Sequence, residues 1–353
     1  MKKMKFKFAF ILLIIFSSFC LNIFANKKGK DLVKTYHSEY AVNKSTVLIM
    51  VNKYGDVDIQ DWDKEKLSID VVVKVNNKKK EKAERIFEKI DIQFFQNGNE
   101  ISAVTKINGN INEDFSINYT VKMPKYVSVD LKNKFGSIFI SELTGNVKID
   151  LKYGNLKIKK LLNEKEENYS NISLSFSDCK IDVCKNANLN IKYSNFSVEK
   201  SGILNVGSKF SKFKIEKANI VISETKHDTY KLEEVNNFVS VGKFTSYKIE
   251  NLHKKLDVDS EHGNLKVKNV SEDFQSIELN CKYSDIKIGI NKNSNYYLEA
   301  DLDYCGIDYK KSENIKEIEE ETSLKVIGNV GSKENPISKI KIYSKYGDID
   351  LEY

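Results

Sequence analysis

The sequence runs to 353 residues, 41% of them hydrophobic, which is enough for one long core or two compact ones. Lys and Arg number 57 against 50 Asp and Glu; with Lys2, Lys3, Lys5 and Lys7 removed in a leader the balance is 53 to 50, a formal +3. A chain so close to neutral, with Arg85 its only arginine, argues against nucleic-acid binding and leaves any recognition of anions to lysine.

The four early lysines are followed by the apolar run "FAFILLIIFSSF" (8–19), too short to span a bilayer comfortably, and then by Ala25. This order predicts a secretory signal over 1–25, cleaved after Ala25, with no transmembrane anchor in the mature chain. The expected location is outside the cytoplasm: periplasm, outer-membrane-associated or cell surface. A lipoprotein signal would use Cys20, but Phe19 and Ser17 stand where a small residue and Leu are wanted. The mature chain keeps Cys179, Cys184, Cys281 and Cys305, with no CxxC pair and no histidine at metal-ligand spacing. Cys179 and Cys281 fall on core positions and read as small buried hydrophobes.

Residues 26–134 read as N-terminal strands and a capping helix leading into a repeat region at 135–353. The helix is expected in "KKKEKAERIFEKI" (78–90), where Ala83, Ile86, Phe87 and Ile90 share one face that could cover an open sheet end. The repeat shows best when an aromatic position is taken as zero. Tyr54, Phe135, Tyr153, Phe176, Tyr193, Phe210, His227, Phe244, His262, Tyr283, Tyr304, Ile327 and Tyr346 fill it, 17 to 23 residues apart from Phe135 onward. One residue further stand Gly, Ser, Thr or Asp (Cys305 excepted), expected to turn the chain, with glycine taking any positive φ.

Apolar residues at minus six, minus four and zero, and again at plus three and plus five, alternate with the period of a strand that has one buried face. Each unit is then two short strands joined by a corner, unable to bury its apolar face except against its neighbours. The expected fold is all-β: a parallel β-solenoid, single-stranded and β-helix-like, of about thirteen 17–23-residue coils, with a short helix near the N-terminus. Phe210, Phe244, Ile215 and Ile249 are expected in its core. The acidic stretches at 159–171 and 309–321 interrupt the pattern and are expected as solvated loops.

Three stretches carry a resemblance: "VNKYGDVDIQDWDKEKLSIDVVVKV" (51–75), with the single Trp62, "YTVKMPKYVSVDLKNKFGSIFI" (119–140) and "SKYGDIDLEY" (344–353). On these, most of the mature chain resembles a family of exported bacterial proteins grouped as adhesins, a domain of unknown function with a β-solenoid fold. The resemblance implies that fold and a binding role, and it brings no catalytic residue.

The residues themselves offer little chemistry. Asp56/Asp58, Asp301/Asp303 and Asp348/Asp350 are D-x-D pairs, read as corner and outward positions rather than calcium ligands. His227 and His262 lie two repeats apart, about 10 Å at the strand spacing, too far for one metal ion. No phosphate loop or dinucleotide fingerprint occurs, so no cofactor, metal or catalytic residue is expected. Strict 17-residue repeats leave no room for the long loops that roof a polysaccharide-cleaving cleft. What remains is lysine: nine of thirteen units carry it just before the aromatic, including Lys192, Lys209, Lys226 and Lys243, and seven carry it at plus four, including Lys214, Lys231 and Lys248. These columns read either as a soluble face that blocks lateral sheet association or as a rail for an anionic glycan or envelope polymer. The leading expectation is a non-catalytic, exported envelope or surface protein that binds such a polymer or an envelope protein. A structural or regulatory periplasmic module is the second reading and a polysaccharide-active enzyme the third.

Overall fold

A computed structural model describes residues 23–25, 31–77, 79–163 and 167–352. The leader expected over 1–25 lies outside them except for the short strand Ile23–Ala25. Among the described residues the chain is nearly all β, with one helix (Lys80–Lys89) and many strands hydrogen-bonded into a long open sheet. No helix among them is long and apolar enough to cross a membrane.

The 17-residue period is a physical register. The strands Asp178–Lys192, Asn195–Lys209, Lys212–Lys226 and Thr229–Lys243 lie side by side in parallel, so that Asn195 pairs with Lys212 and Lys212 with Thr229. Within one unit the buried residues are Phe196, Val198, Ser201, Leu204, Val206 and Ser208, and the next unit repeats them at Phe213, Ile215, Ala218, Val221, Ser223 and Thr225. The alternation is that of a half-buried strand, broken by three-residue steps on either side of Ser201 and Ala218, where the inward direction is reset. The unit between Phe244 and His262 has one extra residue, absorbed by a register shift between Val235 and Asn237.

Both ends depart from sequence order. The strand Val47–Lys53 pairs in parallel with Ser128–Lys134, so Lys53 lies beside Lys134. Much of the chain between them is antiparallel: Lys66–Asn76 runs against Phe115–Met123, and Ile90–Asn97 against Glu100–Ile107. The helix lies where its pattern put it, with Ala83, Ile86 and Phe87 buried against Lys66–Asn76, Ile90–Asn97 and Asp31–Ala41. At the other end, Ser338–Lys345 pairs in parallel with both Ser276–Lys282 and Tyr296–Asp303, inserting the last unit between two earlier ones.

Three expectations are corrected here. Ile327 does not belong to the aromatic column; it lies in Ser323–Val330, which runs antiparallel to Tyr296–Asp303 and places Ile327 opposite Glu299. The acidic stretch at 309–321 is not only loop, because Ile315–Glu319 forms a strand antiparallel to Ser323–Val330. Phe210 and Phe244 are not core residues: they are 47% and 48% exposed, whereas Ile215 and Ile249 are fully buried.

Candidate functional site: an exposed ring ladder beside a lysine column

The reversal at Phe210 follows from its backbone. All twelve remaining residues of the aromatic column have φ between 51° and 64°, the left-handed region, and the glycines that follow them do not. A left-handed residue swings its side chain out of the strand's alternation and turns the following residue inward. Ser177, Ser194, Ser211, Asp228 and Thr245 are accordingly buried at the next position. Outside glycine this conformation costs roughly 1–2 kcal/mol per residue.

What offsets that cost is visible on both sides of the corner. Inside, each buried polar side chain accepts the backbone N–H of its counterpart one unit earlier: Ser177 N–H donates to Ser194 Oγ at 3.1 Å, Ser194 N–H to Ser211 Oγ at 3.3 Å, and Ser211 N–H to Asp228 Oδ1 at 2.5 Å. Where the following residue is glycine the backbones close up instead. A Cβ on Gly136 would stand 2.0 Å from the Gly55 carbonyl oxygen, and the buried Asn133 Nδ2 donates 3.0 Å bonds to the carbonyls of Gly55 and Gly136.

Outside, the rings stack. From Tyr54 through Phe135, Tyr153, Phe176, Tyr193, Phe210, His227, Phe244, His262, Tyr283 and Tyr346 to Tyr304, neighbouring centroids are 4.7–5.2 Å apart with planes within 17° of parallel. Aromatic pairs of this kind contribute about 0.5–1.5 kcal/mol beyond area burial. His227 and His262 are members of the stack, and Phe115 closes the Tyr54 end edge-on at 5.2 Å. The faces are covered by neighbours; the edges face solvent, and ring edges carry the positive end of the quadrupole.

The corner also fixes the lysines. Tyr193 N–H donates to the Lys209 carbonyl, Phe210 N–H to that of Lys226 and His227 N–H to that of Lys243, each at 3.0 Å. Lys192, Lys209, Lys226 and Lys243 therefore stand in register beside the rings, all exposed. Toward the Tyr54 end the ammonium groups lie over the rings: Lys53 Nζ is 4.7 Å from the Tyr54 centroid and Lys134 Nζ 4.7 Å from that of Phe135.

The seven candidate lysines do not form one site. Lys214 reaches Glu216 at 3.2 Å and Glu233 at 3.6 Å, and Lys248 reaches Glu250 at 2.6 Å. Lys243 pairs with Glu261 at 2.7 Å. Lys180, in the same column as Lys214, pairs with Glu199 at 2.8 Å. Hydrogen bonds donated to Glu199, Glu216 and Glu261 hold Lys180, Lys214 and Lys243 above the ordinary lysine range. Lys192, Lys209, Lys226 and Lys231 have no carboxylate within 4.0 Å among the described residues. Lys214 and Lys231 line an open groove of about 900 Å³ with Lys157, Lys180 and Lys212, on the outer surface of the strands that follow the corner.

Most of the D-x-D aspartates are engaged locally. Asp56 accepts from Ser137 N–H at 2.7 Å, Asp350 pairs with Lys287 at 3.1 Å, and Asp303 pairs with Lys345 at 3.6 Å. Among the described residues no three His, Cys, Asp or Glu side chains cluster in a way that would hold a metal ion.

Neither a family model nor a curated protein matches this sequence. Solved structures are similar to it at low identity. A "putative adhesin" from Parabacteroides distasonis is 10% identical over 72% of this chain and 97% of its own, with TM-score 0.40. A second from Parabacteroides merdae is 11% identical over 73% and 96%, TM-score 0.37. A "putative cell adhesion protein" from Clostridium sporogenes is 11% identical over 90% and 99%, TM-score 0.20.

Proposed function

We propose that this chain is a non-catalytic, exported envelope or surface protein, wound as a parallel β-solenoid, that binds an extended partner or polymer along its ring ladder. One observation carries the reading. Twelve successive corners hold a ring in a backbone conformation that glycine or asparagine would adopt more cheaply. The rings are also left about half exposed, from Tyr153 at 46% to Tyr304 at 56% over much of the column. Strain kept at exposed, repeated positions points to a surface in use. The parallel pairing at one fixed offset supports the winding, because each unit then buries its apolar face on the next. A line of many weak contacts suits an elongated ligand, whose successive groups bind with high effective concentration.

The test is binding of the purified exported chain to isolated envelope polymers, alongside a Tyr193→Gly/Phe210→Gly variant that keeps the left-handed corners and removes two rings. Weaker binding by the variant at an unchanged fold supports the proposal. Equal binding by variant and wild type, or no binding by the wild type to any envelope fraction, overturns it.

A further inference from the structure

The two lysine columns have the same residue type, similar exposure and the same strand spacing, yet between Lys180 and Lys248 the chain treats most members of each differently. At plus four, Lys180, Lys214 and Lys248 are each held by a glutamate of the plus-six column. Beside the rings, Lys192, Lys209 and Lys226 are register partners in three adjacent strands and meet no carboxylate within 4.0 Å among the described residues. Stacked ammonium groups one strand apart repel one another, and an anion placed between them relieves that repulsion. Apart from Lys231, the plus-four column of this stretch carries its own anions. The other leaves that place open, next to a line of ring edges whose electrostatics also favour negative charge.

We infer that the ligand of the ladder is a linear acidic polysaccharide, lying along the rings with its carboxylate or sulfate groups against Lys192, Lys209 and Lys226. This rests on the binding role proposed above and adds the ligand's chemistry. A single straight line of cations recurring at the strand spacing matches a chain with charges at regular intervals. A bilayer surface presents a plane of headgroups, which a one-residue-wide line does not match. Single-stranded nucleic acid binds through base stacking on open ring faces, and here neighbouring rings close those faces at 4.7–5.0 Å along the segment from Phe176 to His227. The favourable stretch also has an end: Lys243 is already taken by Glu261 at 2.7 Å, and the next unit carries Glu261 itself at the lysine position.

The experiment measures affinity of the exported chain for polygalacturonate and for its fully methyl-esterified, neutral form, with dextran sulfate against dextran as the sulfate arm. Two variants remove the same charge: Lys192→Gln/Lys209→Gln/Lys226→Gln beside the rings, and Lys180→Gln/Lys214→Gln/Lys248→Gln in the glutamate-held column. Binding to at least one charged polymer and not to its neutral form is expected. Affinity should fall steeply by about 0.5 M salt, and the first variant should bind at least about tenfold more weakly while the second stays within about twofold. Equal loss in both variants, no loss in the first, equal affinity for the neutral form or an affinity indifferent to salt overturns the inference. Binding to neutral polymers alone, still lost on Tyr193→Gly/Phe210→Gly, overturns the ligand class and leaves the ladder as the binding face. Binding that survives the ring substitutions removes the ladder itself.

Discussion

The ring of Phe176 lies on that of Tyr193 with centroids 4.9 Å apart and planes 2° from parallel, and both residues sit at left-handed φ, 53° and 51°. The strain and the stack are one feature. The left-handed corner is what aims the ring outward, and the identical corner one strand away supplies its partner. Seventeen residues of sequence thus become one ring step.

This coupling reverses a common substitution rank. Phe210→Ala should lose the stacks on Tyr193 and His227, about 0.5–1.5 kcal/mol each, and keep the left-handed strain. Phe210→Gly loses the same stacks but relieves the strain, which outweighs glycine's extra chain entropy of about 0.5–1 kcal/mol. In denaturant melts the order should be wild type, then Gly, then Ala. Ala more stable than Gly would contradict the outward corner.

The next inward ring behaves differently. Phe213, buried at 2% exposure between Phe196 and Tyr230, should cost about 3–5 kcal/mol when changed to Ala. A Phe213→Ala variant as stable as Phe210→Ala would mean that the two columns have been assigned to the wrong faces.

Asp228 sits where neighbouring units have Ser211 and Thr245, and it is buried. Its carboxylate accepts from Ser211 N–H at 2.5 Å, Ser208 Oγ at 2.8 Å, Lys226 N–H at 3.2 Å and Thr225 Oγ1. Asp228→Ser restores the side chain used in the adjacent unit and should cost less than Asp228→Ala. The alanine leaves the Ser211 N–H without its acceptor, a loss of about 1–3 kcal/mol. Thermal melts of the two variants check the order, and an equally stable alanine variant would count against the inner polar ladder.

Much of this was legible in the sequence, and the failures share one physical cause. The period, the inward positions of Ile215 and Ile249, the buried Cys179 and Cys281 and the apolar helix face can all be read from alternation. Alternation carried through the corner puts the aromatic column inside, whereas the left-handed φ there inverts it. Two signals argued otherwise: His227 and His262 are poor core residues, and the small polar residues that follow the rings suit a cramped interior. The ends were not legible, because Ser338–Lys345 inserts between two earlier strands, and nothing in local periodicity encodes insertion. Part of the lysine neutralisation is legible as well, because Glu216 and Glu250 stand two residues after Lys214 and Lys248 in a repeated acidic column, whereas Lys180–Glu199 and Lys243–Glu261 cross strands and depend on register.

The thiols offer a further check on the core. Burial pushes Cys184 and Cys281 up to about 12 and raises Cys179 and Cys305 as well. At pH 8 the native chain should alkylate slowly, and all four should react after denaturation. Rapid native labelling of Cys184 or Cys281 would contradict their placement.

The ion pairs set a pH window. Lys217, Lys248 and Lys243 hold Glu234, Glu250 and Glu261 below the ordinary 4.5, so their contribution is present above 4.5 and lost as pH falls through the lower folded values. Lys180 and Lys214, held above 10.5 by Glu199 and Glu216, contribute fully below 10.5 and lose that as pH rises further. These exposed pairs should give a melting temperature that is level between the two limits and falls outside them by a small amount that salt reduces. A slope across neutral pH would require another titrating group.

The most direct test of the ring ladder as the contact face is hydroxyl-radical footprinting of the purified chain, free and with saturating acidic polysaccharide. In the free chain, Tyr193, Phe210 and Phe244 should label rapidly and Phe196, Phe213 and Tyr230 slowly, as their exposures require. Bound polymer should then protect Tyr193 and Phe210 and leave Phe95 and Ile337, exposed outside the ring column, unchanged. Slow labelling of Phe210 in the free chain, or protection centred on Phe95 or Ile337 with the rings still reactive, would contradict the account.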